Sequence, residues 1–159
     1  FSFNTVEISD PAYMETAFAF GSFFAVLLGP IYGLLIGLIG HIITDLILYG
    51  EVYISWATGT ALSLFFIGFS SKIIKIDEVK FGWKQAIIFN IIQFLAFFLS
   101  FYIVAGFIDV VILRQDPEIV YSQYSYVILF DFVNTLVLGT VALKLYNYVK
   151  LGDTFKKKN

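Results

Sequence analysis

His41 and Asp45 stand four residues apart in an otherwise apolar stretch. On a helix that spacing puts an imidazole and a carboxylate on one face, and Tyr49 extends the stripe by one turn. Asn90 and Gln93 are three apart, as are Asp131 and Asn134, and Ser55, Thr58 and Thr60 add hydroxyls between them. Such groups could hold a metal, run nucleophilic or acid–base chemistry, or bind a polar solute or one another. One His and no Cys leave too few nitrogen or sulfur ligands for a metal. No Gly-x-Ser-x-Gly elbow supplies a nucleophile. For His41–Asp45 the leading readings are a structural hydrogen-bonded pair or one wall of a ligand pocket, with catalysis and then a metal site ranked behind them. Asn90 and Gln93 suit interhelical hydrogen bonding or ligand contact. Asp131 is placed either to meet a ligand or to pair with His41.

The elements that carry these groups are membrane spans. Hydrophobic residues make up 59% of the 159-residue chain and charged residues 14%, and mean hydropathy is +0.86. A soluble domain holds about 25% charged residues, so a water-soluble globule is excluded, and disorder with it. A pI near 5.2 lacks the basic footprint of a nucleic-acid binder. Five apolar stretches approach the ~20 residues needed to cross a bilayer: about 12–28, 31–49, 53–69, 83–108 and 126–149. Backbone groups inside lipid must be satisfied locally, so each is read as a helix of one all-α transmembrane domain. Between them lie outer loops 1–11 and 114–125, an inner loop 70–82, and a tail 150–159.

Charge orients the bundle. Nine of the ten cations, Lys72, Lys75, Lys80, Lys84, Lys144, Lys150, Lys156, Lys157 and Lys158, fall on one side, and Arg114 stands alone on the other. The positive-inside rule puts loop 70–82 and the C-terminus in the cytoplasm. Five crossings that end inside must begin outside. The expectation is therefore a sixth span before Phe1, absent from this sequence. Gly33, Gly37 and Gly40 predict one small-residue face on a central second span. Tyr53, Trp56, Trp83, Tyr146 and Tyr148 read as interfacial anchors. The segments 1–8 and 114–126 mix aromatics with hydrogen-bonding side chains, a composition that suits a lid over a small polar-aromatic ligand.

The run Phe24-Ala-Val-Leu-Leu-Gly29-Pro30-Ile-Tyr-Gly33-Leu-Leu-Ile-Gly37-Leu-Ile-Gly40-His41-Ile-Ile-Thr-Asp45, followed by Tyr49-Gly50 and Trp56, resembles the substrate-binding S components of energy-coupling factor (ECF) transporters. The likeness is to a branch grouped with the riboflavin-type S components, the UPF0397-like proteins. Ile88-Phe89-Asn90-Ile-Ile-Gln93 and Asn134-Thr-Leu-Val-Leu-Gly139-Thr extend it over nearly the whole chain, while Thr5–Tyr13 is longer and more acidic than the corresponding family loop. The resemblance implies a six-helix bundle with both termini cytoplasmic, five spans of which are visible here. It implies a prokaryotic, multi-pass cell-membrane protein that captures a water-soluble vitamin or precursor from outside. Its partners would be a transmembrane coupling subunit and two ATPase subunits. ATP and Mg would belong to those partners, because this chain has no Gly-x-x-x-x-Gly-Lys-Ser/Thr loop and carries no cofactor of its own.

The expected pocket opens outward. Asn4 and Thr5 supply lid hydrogen bonds, and Tyr124 joins them from the other outer loop. His41, Asp45 and Tyr49 form one wall, Trp56 a stacking face, and Asp131 and Asn134 the polar floor, with Gln93 deeper. The acidic outer half disfavours a polyanion and suits a neutral or weakly basic ring, whether a hydroxymethylpyrimidine, a pyridoxine-like pyridine or a flavin; of these the small single rings are the favoured reading. Two other classes compete: a proton-coupled secondary carrier using Asp45 or Asp131, and an intramembrane enzyme using His41 and Asp45.

Overall fold

A computed structural model describes the backbone of residues 6–9, 12–14 and 16–156 and the side chains of 16–151. Two short antiparallel strands, β1 (Val6–Ser9) and β2 (Ala12–Met14), pair Glu7 with Tyr13 and precede the helices. Asn4 and Thr5 lie outside the described residues. Everything after β2 is helical or connecting chain: α1 (Ala17–Leu28), α2 (Pro30–Leu48), α3 (Ile54–Gly68), α4 (Ser70–Ile74), α5 (Trp83–Phe97) and α6 (Pro117–Lys156). From Phe98 to Ala105 and from Ile108 to Ile112, α5 runs on with π-helical winding.

Among the described residues four helical stretches are long and apolar enough to span a membrane: Pro30–Leu48, Ile54–Ile74, Trp83–Ile112 and Pro117–Leu151. The first span departs from expectation. Residues 12–14 belong to β2, and α1 covers about 18 Å at 1.5 Å per residue, short of the ~30 Å hydrocarbon core. The last span departs the other way, because Pro117 opens α6 and segment 117–125 is helix rather than loop. The local reason is legible in Asp116-Pro117-Glu118. Proline fits the first helical turn, and the Asp116 carboxylate accepts the Glu118 N–H at 2.8 Å, which satisfies an orphan donor of the helix start.

The central helix is α3, which packs against α1, α2 and α5 with its π-helical extension. The expectation of a central second span is corrected, since α2 leaves Ile31, Ile39, Ile43 and Ile47 exposed and joins the bundle along one edge. That edge is where two of the three glycines act. A Cβ at Gly33 would run into the Leu64 carbonyl oxygen, and one at Gly37 would lie 2.8 Å from Ala61 Cα, so both glycines let α2 and α3 touch backbone to backbone. Gly40 does not share that contact. It has no atom within 4 Å of a would-be Cβ and borders a separate apolar groove between α1 and α2.

One buried seam organises α5. Phe89, Gln93, Phe97, Phe101, Ala105 and Asp109 are all buried, and they fall at every fourth position. Four residues of regular α-helix turn about 400°, so such a seam would drift about 40° per step. The i→i+5 winding beyond Phe97 turns more slowly and opposes that drift. The seam therefore stays buried along the helix, against α3 as far as Ala105 and against α6 at Asp109, and it carries Phe101 and Asp109 to the same end of the bundle as His41.

Candidate functional site

At the end where α2 passes into α3 through Tyr49–Tyr53, side chains of five helices converge on a small cleft. The α2 wall is His41 and Asp45, whose Nε2 and Oδ1 atoms are 3.4 Å apart. The other ring nitrogen of His41, Nδ1, is hydrogen-bonded to Thr60 Oγ1 on α3 at 2.9 Å. Asp45 is 3% exposed, and its Oδ2 accepts the Tyr53 N–H at 2.9 Å. That N–H lies at the start of α3, where a helix favours negative charge. The i, i+4 pair thus holds α2 to α3 and also borders open space. Both imidazole nitrogens are engaged by Thr60 and Asp45, so the sequence alternative of a His41–Asp131 pair is not the arrangement found.

The mouth is made by Tyr49 and Tyr53. Gly50, at φ +76°, turns the chain between them, a backbone state glycine adopts without strain. Their rings meet edge-on at 5.4 Å, and the Tyr53 hydroxyl donates to Glu51 at 3.0 Å. Tyr53, an expected interfacial anchor, is also part of the cleft wall.

Trp56 faces the cleft one turn into α3. Behind it sit Tyr124, with ring centroids 5.1 Å apart, and Phe101 at 6.2 Å. Gly59, one turn below Trp56, makes this possible, because a Cβ there would come within 2.8 Å of the Phe101 ring. Asp131, 1% exposed on α6, completes the polar lining opposite His41. The solvent space inside is about 30 Å³, enough for a water. The groove between α1 and α2 is far larger, about 930 Å³, but it is lined mostly by Phe20, Phe24, Ile36, Ile43 and other apolar groups. His41 and Thr60 border both spaces, but the carboxylates of Asp45 and Asp131 line the smaller cleft and not the groove.

Five of the sequence candidates therefore line one cleft: His41, Asp45, Tyr49, Trp56 and Asp131. Three do not. Tyr124 is fully buried behind Trp56. Asn134 lies about one turn along α6 from Asp131, half-buried and outside the cleft lining. Gln93 is buried and reaches across to the Phe132 carbonyl at 3.5 Å, while its neighbour Asn90 donates to Ala86 O and to Thr140 Oγ1. Both belong to the α5–α6 contact. The cleft also uses Phe18, Phe101 and Val127, which carried no polar signal, and Thr60, whose bond to His41 crosses from one helix to another. Asp109 was not singled out at all. It is 2% exposed and accepts a hydrogen bond from the Tyr124 hydroxyl.

The comparisons with known proteins agree with the motif resemblance. The family model described as "ECF-type riboflavin transporter, S component" matches residues 2–149. A UPF0397 protein of Clostridium perfringens (strain SM101) is 36% identical over 138 residues, covering 87% of this chain and 75% of that relative. A UPF0397 protein of Lactobacillus acidophilus is 33% identical over 138 residues with the same coverage. One of Lactococcus lactis subsp. cremoris is 35% identical over 133 residues, covering 84% and 73%. No solved structure matches the chain.

Proposed function

The chain belongs to the family of S components of ECF-type riboflavin transporters, and from that membership we propose that its Trp56 cleft captures a single-ring vitamin or vitamin precursor. Membership makes it a multi-pass membrane protein and a vitamin-type substrate-binding subunit that works with the other subunits of an ECF module. The finer reading concerns which solute is bound and where. One observation carries it: Asp45, His41 and Asp131 approach one cleft from two helices, beside the indole of Trp56. A flat ring with several donors suits such a lining, stacked on the indole and hydrogen-bonded to carboxylates.

Size and charge support a small donor-rich ring. Among the described residues no Lys or Arg lines the cleft, so a phosphate or polycarboxylate would be desolvated there without a counter-charge. Ligand pockets usually enclose about 300–1,000 Å³, so binding has to part the walls. Tyr49, Tyr53 and Trp56 are the groups that would move. A hydroxymethylpyrimidine or pyridoxine-like ring needs less displacement than the three fused rings of a flavin. The lysine-rich end would face the cytoplasm by the positive-inside rule, which turns the cleft outward. Import would then draw on a transmembrane coupling subunit and two ATPase subunits that hold ATP and Mg.

The test uses the purified chain. Small molecules released from it are identified by mass spectrometry, and 4-amino-5-hydroxymethyl-2-methylpyrimidine, pyridoxine and riboflavin are titrated calorimetrically. The expected result is saturable binding of a single-ring compound, lost on Trp56→Ala. Binding of riboflavin alone refutes the substrate class. Saturable binding unaffected by Trp56→Ala and Asp131→Ala refutes the site.

A further inference from the structure

We propose that Asp109 is a positioning residue for ligand capture, holding the Trp56 ring in place through Tyr124. The role in capture rests on the reading of the Trp56 cleft as the ligand site; the positioning itself rests on geometry alone. A carboxyl group withdrawn from water inside an apolar bundle is costly and normally has a partner or a task. Asp109 is 2% exposed, sits on the π-helical extension of α5, and has one side-chain partner, the Tyr124 hydroxyl on α6. Among the described residues its second oxygen has no hydrogen-bond partner, so that one bond is the whole of its side-chain pairing there.

That bond fixes where the Tyr124 ring lies. Tyr124 is fully buried, with Trp56 at 5.1 Å on one side and Phe101 at 5.7 Å on another. Ser55, the residue before Trp56, is hydrogen-bonded to the same phenol. The first turn of α3 is therefore held twice. Asp45 takes the Tyr53 N–H from the α2 side, and Asp109 takes Tyr124, with Ser55 attached, from the α5–α6 side. Trp56 sits between the two holds. An indole fixed in advance loses less freedom when a ligand stacks on it, which is the general benefit of preorganisation. Without the phenol–carboxylate bond, Tyr124 could tilt and Trp56 would follow it.

The two tryptophans make this measurable. Trp83 is exposed and far from the cleft in the chain's path, so Trp83→Phe leaves Trp56 as the sole indole. In that background the probes are acrylamide quenching, fluorescence anisotropy, and titration with 4-amino-5-hydroxymethyl-2-methylpyrimidine and with pyridoxine. Tyr124→Phe conserves volume and removes only the hydroxyl. We expect lower anisotropy, easier quenching, and an affinity about tenfold weaker, equivalent to one hydrogen bond's worth of order. Asp109→Leu should reproduce this. Asp109→Asn keeps an acceptor for the phenol and should stay within about threefold of the parent. A purely structural role would lower thermal stability while leaving Trp56 quenching in the folded protein unchanged, and that result would overturn the proposal. So would loosening by Asp109→Asn as large as by Asp109→Leu. If Trp56 loosens as expected but no ring compound binds the parent, the geometric inference stands and the ligand-site reading is what fails.

Discussion

Two buried polar clusters sit at opposite ends of this bundle, and they are built differently. At the lysine-rich end Asn147 of α6, 3% exposed, takes the Phe81 N–H at 2.8 Å and donates to the carbonyls of Ile76 at 2.5 Å and Val79 at 2.9 Å. Both amide hydrogens and the amide oxygen go to the backbone of one loop, which is thereby stitched to the last helix. Tyr146 and Lys150 add exposed contacts to Asp77. At the other end His41, Asp45 and Asp131 also have partners, but they border a cleft, and His41 and Asp45 are held by groups on neighbouring elements. An amide closed on the main chain is architecture. Side chains that are held in place and still face a space can exchange a partner for a solute. Burial alone does not separate these cases; the presence of room beside the polar atoms does.

The contrast is sharpest when one hydrogen-bonding group is deleted at each end. Asn147→Leu leaves a buried N–H and two carbonyls without partners. At about 1–1.5 kcal/mol each the chain should lose about 3–5 kcal/mol of stability, seen as a lower unfolding temperature in detergent. Ligand affinity of the protein that remains folded should not change. A matching loss of affinity would mean that the two clusters are coupled and the contrast is false. Trp56→Ala comes next, acting on affinity. Removing the stacking face of a desolvated ring site typically costs about 2–3 kcal/mol, so calorimetry should show roughly a 30- to 150-fold rise in Kd. Asp131→Ala removes a charge-assisted hydrogen-bond acceptor, about 1.5–2 kcal/mol, or some 12- to 30-fold. Equal affinity in the Asp131 variant would move the polar floor elsewhere.

Much of this was readable from residue order, and the part that was not has identifiable causes. The spans show because crossing lipid demands long apolar runs. His41–Asp45 and Tyr49 show because their spacing is local and helical. Gly33 and Gly37 are the packing positions their spacing predicts, yet Gly40 three residues on faces the groove between α1 and α2; glycine spacing alone does not say where the neighbouring helix ends its contact. Thr60 could not be matched to His41, because 19 residues and a turn separate them. Asp109 was hidden by periodicity. A 3.6-residue wheel does not keep it on the face of Phe97, whereas the π-helical winding does. Segment 117–125 looked like a lid by composition, while Asp116-Pro117 already signalled a helix start.

The smallest expected effect tests the comparison most finely. Thr60→Val replaces a hydroxyl by a methyl of similar size and removes the partner of His41 Nδ1. In the Asn147 cluster a lost partner leaves a buried group stranded, since the amide's partners are all main-chain groups of one loop. In the cleft a water can take the hydroxyl's place, because the site already has room for one. Stability should therefore change by less than about 0.5 kcal/mol. Affinity should still fall, by about 1 kcal/mol or fivefold, because the imidazole loses its fixed orientation toward the ligand. A thermal shift comparable to that of Asn147→Leu would show that His41 is closed off from water. The outer cluster would then be architecture as well, and a binding site would have to be sought elsewhere in the bundle.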